Sequence, residues 1–278
     1  HWSVLEHYTF SVWVPELTFM RLQSLKDGTL NDASMRNSLK FIEISRVQFP
    51  KEEGKEFLVS LSATSINNLW SNNEIFESPI ENLFIFIAKD YPDLIKIPDH
   101  IDMDVKLHPD EFKYATVEDI KAVDLHKTHV FMTVKFTANR AILNEITRHR
   151  IASFAQSSTR YCNYSNDKFD NQISIIENNS IKKDSEKYFI WEKTLQICEL
   201  SYKELIAAGM KPEIARDILP LALESELMMT ASLFEWNHFF NMRTAHGAHP
   251  QIRDLAIPLN NEFAQIFPDV FQTKGVGV

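Results

Sequence analysis

The apolar positions alternate between stretches of period two and stretches of period three to four. Tyr8-Thr9-Phe10-Ser11-Val12-Trp13-Val14 is dense in aromatic and β-branched residues and predicts a strand. Ile42–Phe49 and Glu56–Leu61 fit strands or short helical pieces, and the Ser- and Asn-rich Ser62–Asn73 predicts a turn or helix cap. Ser78–Tyr91 sets Ile80, Leu83, Ile85, Phe86 and Ile87 among polar residues, an amphipathic helix. Pro92, Pro98 and Pro109 make Pro92–Phe112 an extended loop. From His129, the residues Val130, Met132, Val134 and Phe136 alternate with Phe131, Thr133 and Lys135, which predicts a strand. Beyond Ala138, the residues Ile142, Ile146 and His149 recur on one helical face, with Arg148 and Arg150 flanking its last turn.

The C-terminal half reads as mostly helical. Asn163–Lys187 is a polar loop with one short strand at Gln172–Ile176. Tyr188–Ala208 carries a long helical period closed by Gly209, and Pro212 opens a further helix that Pro220 ends. Leu223–Met242 reads as a third helix, with Ser232, Glu235 and His238 on one stripe and Arg243 at its end. The chain starts at His1 in an already patterned segment, so the true N-terminus is expected upstream, together with a strand.

Composition narrows the class. The chain has 278 residues, of which 44% are hydrophobic and 24% charged, with a formal net charge of −9. That acidic balance argues against general nucleic-acid coating, and no apolar run has transmembrane length. Cys162 and Cys198 offer no pairing framework, which fits a reducing cytoplasm.

Against this background, Thr147–Tyr161 stands out, with three Arg, one His and five Ser or Thr in fifteen residues. Such fixed positive charge repels itself unless an anion or carboxylates neutralise it. Arg forks with hydroxyls suit phosphate and planar heterocycles, and the absence of Gly excludes a P-loop or dinucleotide fingerprint. An anion site on a helix end and its following loop is preferred to simple capping of the helix dipole. Metal readings are weaker. The acids and histidines between Asp99 and His108 match no common site, and His246 with His249 lacks a third ligand, so no metal is expected. Cys162 reads as an inert, partly buried thiol rather than a nucleophile.

These residues also carry a family resemblance. Arg148-His149-Arg150, Ser153, Ser158, Arg160 and Tyr161 resemble the RHRxxSxxxxSxRY signature of the flavin-dependent thymidylate synthases. His1-Trp2-Ser3-Val4-Leu5-Glu6-His7 with Phe10 is similar to that family's GHxSxxEHxxFTF segment, and Ala215-Arg216 with Leu219-Pro220 to its ARxxLP element. Glu235-Trp236, His238-Phe239 and Arg243, followed by Ile252-Arg253 and Ala256, resemble its EWxHFxxLR and EIRxxA close. Residues 27–122 have no counterpart and read as an insertion within a single catalytic domain spanning 1–278.

The resemblance implies an α+β fold, a mixed sheet packed with long helices, and a homotetramer with sites between subunits. It implies reductive methylation of dUMP to dTMP, with methylenetetrahydrofolate giving the carbon and NADPH reducing a bound FAD. Carried over by position, Ser3, Arg148, His149, Arg150, Gln156, Ser232, Leu233, Phe234 and His238 contact FAD. Glu145, Arg148, Gln156, Ser157, Ser158, Thr159, Arg160, Arg216 and Arg243 hold dUMP. Arg243 favours the ionised N3 form of uracil, and Ser158 lies beside the pyrimidine. Four short segments depart from the pattern. Glu145 replaces Gln, Ala155-Gln156 replaces Asn-Glu, Ser232-Leu233-Phe234 replaces Asn-Leu-Arg, and His249-Pro250-Gln251 replaces Gln-x-Glu. They leave open a non-catalytic nucleotide- or RNA-binding homologue as the competing reading.

Overall fold

The computed structural model describes residues 5–26, 42–46, 57–71, 78–99, 101–104, 107, 111–160 and 162–275. Ser3, Tyr161 and most of the stretch from 27 to 56 lie outside the described residues. The chain divides into two units: His1–Thr133 with Thr230–Phe234, and Val134–Met229 with Glu235–Val278. Helices and small antiparallel sheets make this an α+β protein, as the resemblance implied.

In the first unit, strands β1 (Thr9–Val14), β2 (Ile42–Arg46), β3 (Phe57–Ser62) and β4 (Lys113–Tyr114) form one antiparallel sheet in the order β2-β3-β1-β4. All six residues of β3 are buried, so both faces of this central strand are covered. One cover is helix α1 (Glu16–Lys26), which turns Thr18, Leu22 and Leu25 inward at helical spacing. Helix α2 (Ala63–Ser71) starts where the Ser62 hydroxyl accepts the Ser65 N–H at 3.1 Å, the cap the Ser-rich run predicts. Helix α3 (Ser78–Asp90) buries Ile80, Leu83, Phe84, Ile85 and Ile87. The Asn67 amide of α2 donates to the Leu94 carbonyl at 2.9 Å and accepts the Lys96 N–H, pinning the proline-bearing loop. Helices α4 (Val117–Ala122) and α5 (His126–His129) lead towards the second sheet.

That three-stranded sheet has the order β5-β7-β6, from Phe131–Asn139, Glu224–Ser232 and Ser153–Gln156. The Asn139 side chain ends β5 by accepting the Ile142 N–H at 2.9 Å, which caps helix α6 (Arg140–Ile146). Helix α7 (Glu186–Ala207) buries only Tyr202, and closes where Gly209 takes φ +88° and Met210 N–H reaches the Leu205 carbonyl at 2.9 Å. Pro212 opens helix α8 (Pro212–Ala215), which tightens into a 3-10 turn at Arg216–Ile218. Helices α9 (Leu233–Arg243) and α10 (Pro250–Ile266) follow, and the His249 side chain caps the latter. Trp236, Phe239 and Phe240 of α9 pack with Phe136, Phe263 and Phe271 at centroid separations of 5.2 to 6.2 Å. Among the described residues, no helix is long and apolar enough to cross a membrane.

Three expectations are corrected. Leu223–Met242 is not one helix, because its first half is strand β7. Glu224 and Glu226 are exposed while Ser225 and Leu227 are buried, an alternation that sheet pairing selected over the helical propensity of Leu and Met. Ser232 therefore ends a strand and shares no helical stripe with Glu235 and His238. The segment after Arg150 is not all loop, since Ser153–Gln156 is strand β6. Arg148 and Arg150 follow helix α6 rather than flank its last turn, because α6 ends at Ile146, and the Thr147 hydroxyl takes up the Asn144 carbonyl at 3.0 Å.

Trp236→Ala would open a void inside the aromatic cluster that holds α9, and is expected to cost about 3–5 kcal/mol of stability. Urea unfolding of the two proteins, followed by circular dichroism, measures it.

Candidate functional site

Helix α9 buries one face in aromatic rings and presents Glu235, His238 and Arg243 elsewhere. Glu235 and His238, one turn apart, share a face. The Glu235 carboxylate accepts the Ile151 N–H at 3.3 Å and faces His149 Nε2 at 3.7 Å. It thereby tethers the cationic segment that follows α6. His149 is 4% exposed, its ring 5.3 Å from that of His238 and edge-on to Phe239 at 5.5 Å. Burial, with His238 and Arg243 nearby, pushes the His149 pKa down to about 4 against the opposing effect of the Glu235 backbone. The imidazole is thus neutral at pH 7.

Arg243, half-buried at the end of α9, donates Nη2 to the Glu145 carbonyl at 2.9 Å. Its cation lies at the C-terminal end of α6, where the helix carbonyls favour positive charge. Glu145 takes part through its backbone, so its unexpected carboxylate does not define the contact.

A second grouping is built on β6 and the turn after it. Ser157 N–H donates to the Glu226 carbonyl at 2.9 Å, fixing the turn on β7. Arg140 Nη1 donates to the Ser157 carbonyl at 3.3 Å and to Ser225 Oγ at 3.4 Å. Ser158 Oγ accepts the Arg160 N–H at 3.2 Å, and the Ser158 carbonyl accepts the Cys162 thiol at 3.1 Å. Thr159 is buried. Arg160 Nε reaches Glu213 of α8 at 3.4 Å, and Arg216 follows Glu213 in the adjoining 3-10 turn. Arg160 and Arg216 therefore adjoin one short helix.

The predicted residues thus fall into these two groupings of the second unit, with Arg148, Arg150, Arg160 and Arg216 exposed. Ser232 and Leu233, both buried, and the exposed Phe234 belong to the first unit, and Ser3 lies outside the described residues. The second unit's cavity of about 330 Å3, lined by Ser165, Asn171, Lys203, Ile206 and Ala207, includes none of them. Three of the expected site residues do share one property. His149 Nε2, Gln156 Nε2 and Arg243 Nε are buried without a hydrogen-bond partner among the described residues. Buried polar atoms are rarely left so, and a bound polar group satisfies them at little cost. Sequence reading missed the roles of Arg140, Glu213 and Glu235. Of these, the acid three residues before Arg216 was the legible signal.

Residues 126–269, just over half of the chain, match the family model described as thymidylate synthase complementing protein. The chain therefore belongs to that family. Its relatives there are flavin-dependent thymidylate synthases. That of Pyrococcus abyssi is 37% identical over 127 residues, covering 46% of this chain and 51% of the relative. That of Geobacter sulfurreducens is 31% identical over 139 residues, covering 50% and 58%. That of Synechocystis is 32% identical over 153 residues, covering 51% and 69%. The chain spans about half the length of the first of these, and His1–Phe10 precedes the matched family segment.

Because His149 has its pKa lowered on folding, the unfolded chain binds more protons between pH 6.5 and about 4. Stability from this residue is complete above pH 6.5 and is lost as pH falls towards 4, with a slope of at most about 1.4 kcal/mol per pH unit. His149→Gln should flatten that part of the curve, measured by urea unfolding between pH 7 and pH 4.

Proposed function

We propose that this chain acts as a flavin-dependent thymidylate synthase, converting dUMP to dTMP with methylenetetrahydrofolate as carbon donor and NADPH as reductant. The observation that carries the reading is that His149 Nε2, Gln156 Nε2 and Arg243 Nε are buried with no hydrogen-bond partner among the described residues. They suit planar, polar heterocycles such as uracil and a flavin ring, which offer carbonyl and ring-nitrogen partners. Bound FAD would supply the hydride chemistry that no side chain can perform.

Arg148, His149, Arg150, Gln156, Ser232, Leu233, Phe234, His238 and Ser3 would hold FAD. Within this set the neutral His149 ring, steadied by Glu235, orients without adding charge. Ser157, Ser158, Thr159, Arg160 and Arg216, with Gln156, Arg148 and Glu145, would hold dUMP, the guanidinium groups answering its phosphate. Arg243, fixed at Nη2 by the Glu145 carbonyl, keeps Nε for the uracil. There its charge favours the ionised N3 form and stabilises negative charge developing on the ring. Ser158 flanks the pyrimidine as a hydrogen-bonding group.

Exposed arginines on a single chain suit a site completed by a second copy. Helix α7 supports such assembly, because Phe189, Ile190, Ile197 and Leu200 are each more than half exposed. The reading includes a homotetramer, as the family resemblance implies, acting in the cytoplasm.

The purified chain should be yellow, bleach with NADPH and form dTMP from dUMP and methylenetetrahydrofolate. A colourless protein that fails to bind added FAD overturns the proposal, and one that still binds dUMP selects the non-catalytic nucleotide-binding reading. Arg243→Ala should lower dTMP formation by roughly 10²–10³-fold while the flavin spectrum persists. Light scattering should give the mass of four chains.

A further inference from the structure

The first unit contains a cavity of about 240 Å3 whose polar lining comes from His7, Thr9, Ser11, His129, Thr133 and Thr230. Two hydrogen-bond chains end on it. In one, Thr230 Oγ1 lies 2.6 Å from His7 Nδ1 and 2.6 Å from Thr133 Oγ1. In the other, Ser60 Oγ lies 2.6 Å from Ser11 Oγ and 2.8 Å from His129 Nδ1, while Ser11 Oγ donates to the His129 carbonyl at 3.1 Å.

Proton counting orders the second chain. Ser11 has one hydroxyl proton, already given to the His129 carbonyl, so Ser60 must donate to Ser11. Ser60 then accepts from His129 Nδ1, which fixes His129 as the neutral Nδ1–H tautomer. Burial agrees, pushing the His129 pKa down to about 4 and lowering that of His7.

This lining selects its guest. Among the described residues its lining includes no Lys, Arg, Asp or Glu, so an ion entering it would lose hydration with little compensation. Hydroxyls that both give and receive protons match a group with a carbonyl and an N–H side by side. Phe131 and Ile120 add an apolar wall for a ring, and the volume lies below the span of roughly 300–1,000 Å3 usual for larger ligands. We propose that this cavity binds a small uncharged ring bearing an amide, held by the Thr133–Thr230–His7 chain.

The probe is nicotinamide, with nicotinate as its anionic isostere, titrated into the full chain by ligand-observed NMR. Nicotinamide should bind saturably and nicotinate at least ~10-fold more weakly, because the carboxylate meets no counter-charge. Thr230→Val removes the shared hydroxyl and should weaken nicotinamide about tenfold. Ala115→Leu fills the cavity from its lining while leaving both hydrogen-bond chains in place, and should abolish binding. If Thr230→Val does not fold, the Ala115→Leu result decides. Absent nicotinamide binding, equal binding of nicotinate, or nicotinamide binding that survives Ala115→Leu overturns the assignment.

Discussion

Burial of Trp236, Phe239 and Phe240 against Phe136, Phe263 and Phe271 fixes the rotation of α9 about its axis, and the second unit's candidate site follows from that rotation. Each such ring contributes roughly 1.5–3 kcal/mol by leaving water, far more than the polar contacts on the opposite face. With one face committed, Glu235 and Arg243 have little freedom. The first reaches the Ile151 amide and the second the Glu145 carbonyl. The cationic segment after α6 is thereby held by α9 at Ile151 as well as by its own helix, whose Glu145 and Ile146 carbonyls accept the Arg148 and His149 N–H groups.

Part of the charge around that segment is managed locally. Arg160 has Glu213, Arg243 has the negative end of α6, and His149 avoids the problem by staying neutral. The expected site residues also have directional needs: among the described residues, His149 Nε2, Gln156 Nε2 and Arg243 Nε are buried with no hydrogen-bond partner. Buried polar atoms left open in this way suit a polar, largely planar guest. The first unit follows a similar logic with different chemistry, through hydroxyl chains and neutral imidazoles around a cavity whose lining, among the described residues, includes no Lys, Arg, Asp or Glu.

Much of the local structure was legible in the chain. The dense β-branched run before Pro15, the amphipathic Ser78–Asp90 stretch, the Gly209 stop and the Pro212 start all gave the element they predict. These are short-range effects of backbone sterics, capping and one-sided burial. The cationic cluster and the family it resembles were equally readable, because residue type and spacing carry them. The stretch Leu223–Met242 was not readable. Its Leu and Met suit a helix, and only its place between two other strands makes the first half β7.

The sequence by itself thus determined which chemistry this protein carries, since arginines, hydroxyls and histidines at set spacings are visible without a fold. Tertiary structure decided which of them meet. Glu235 with His149, Arg243 with the Glu145 backbone and Arg160 with Glu213 are separated in the chain by 86, 98 and 53 positions, respectively. No local pattern encodes such pairings, because they arise only when the buried faces of distant elements pack together.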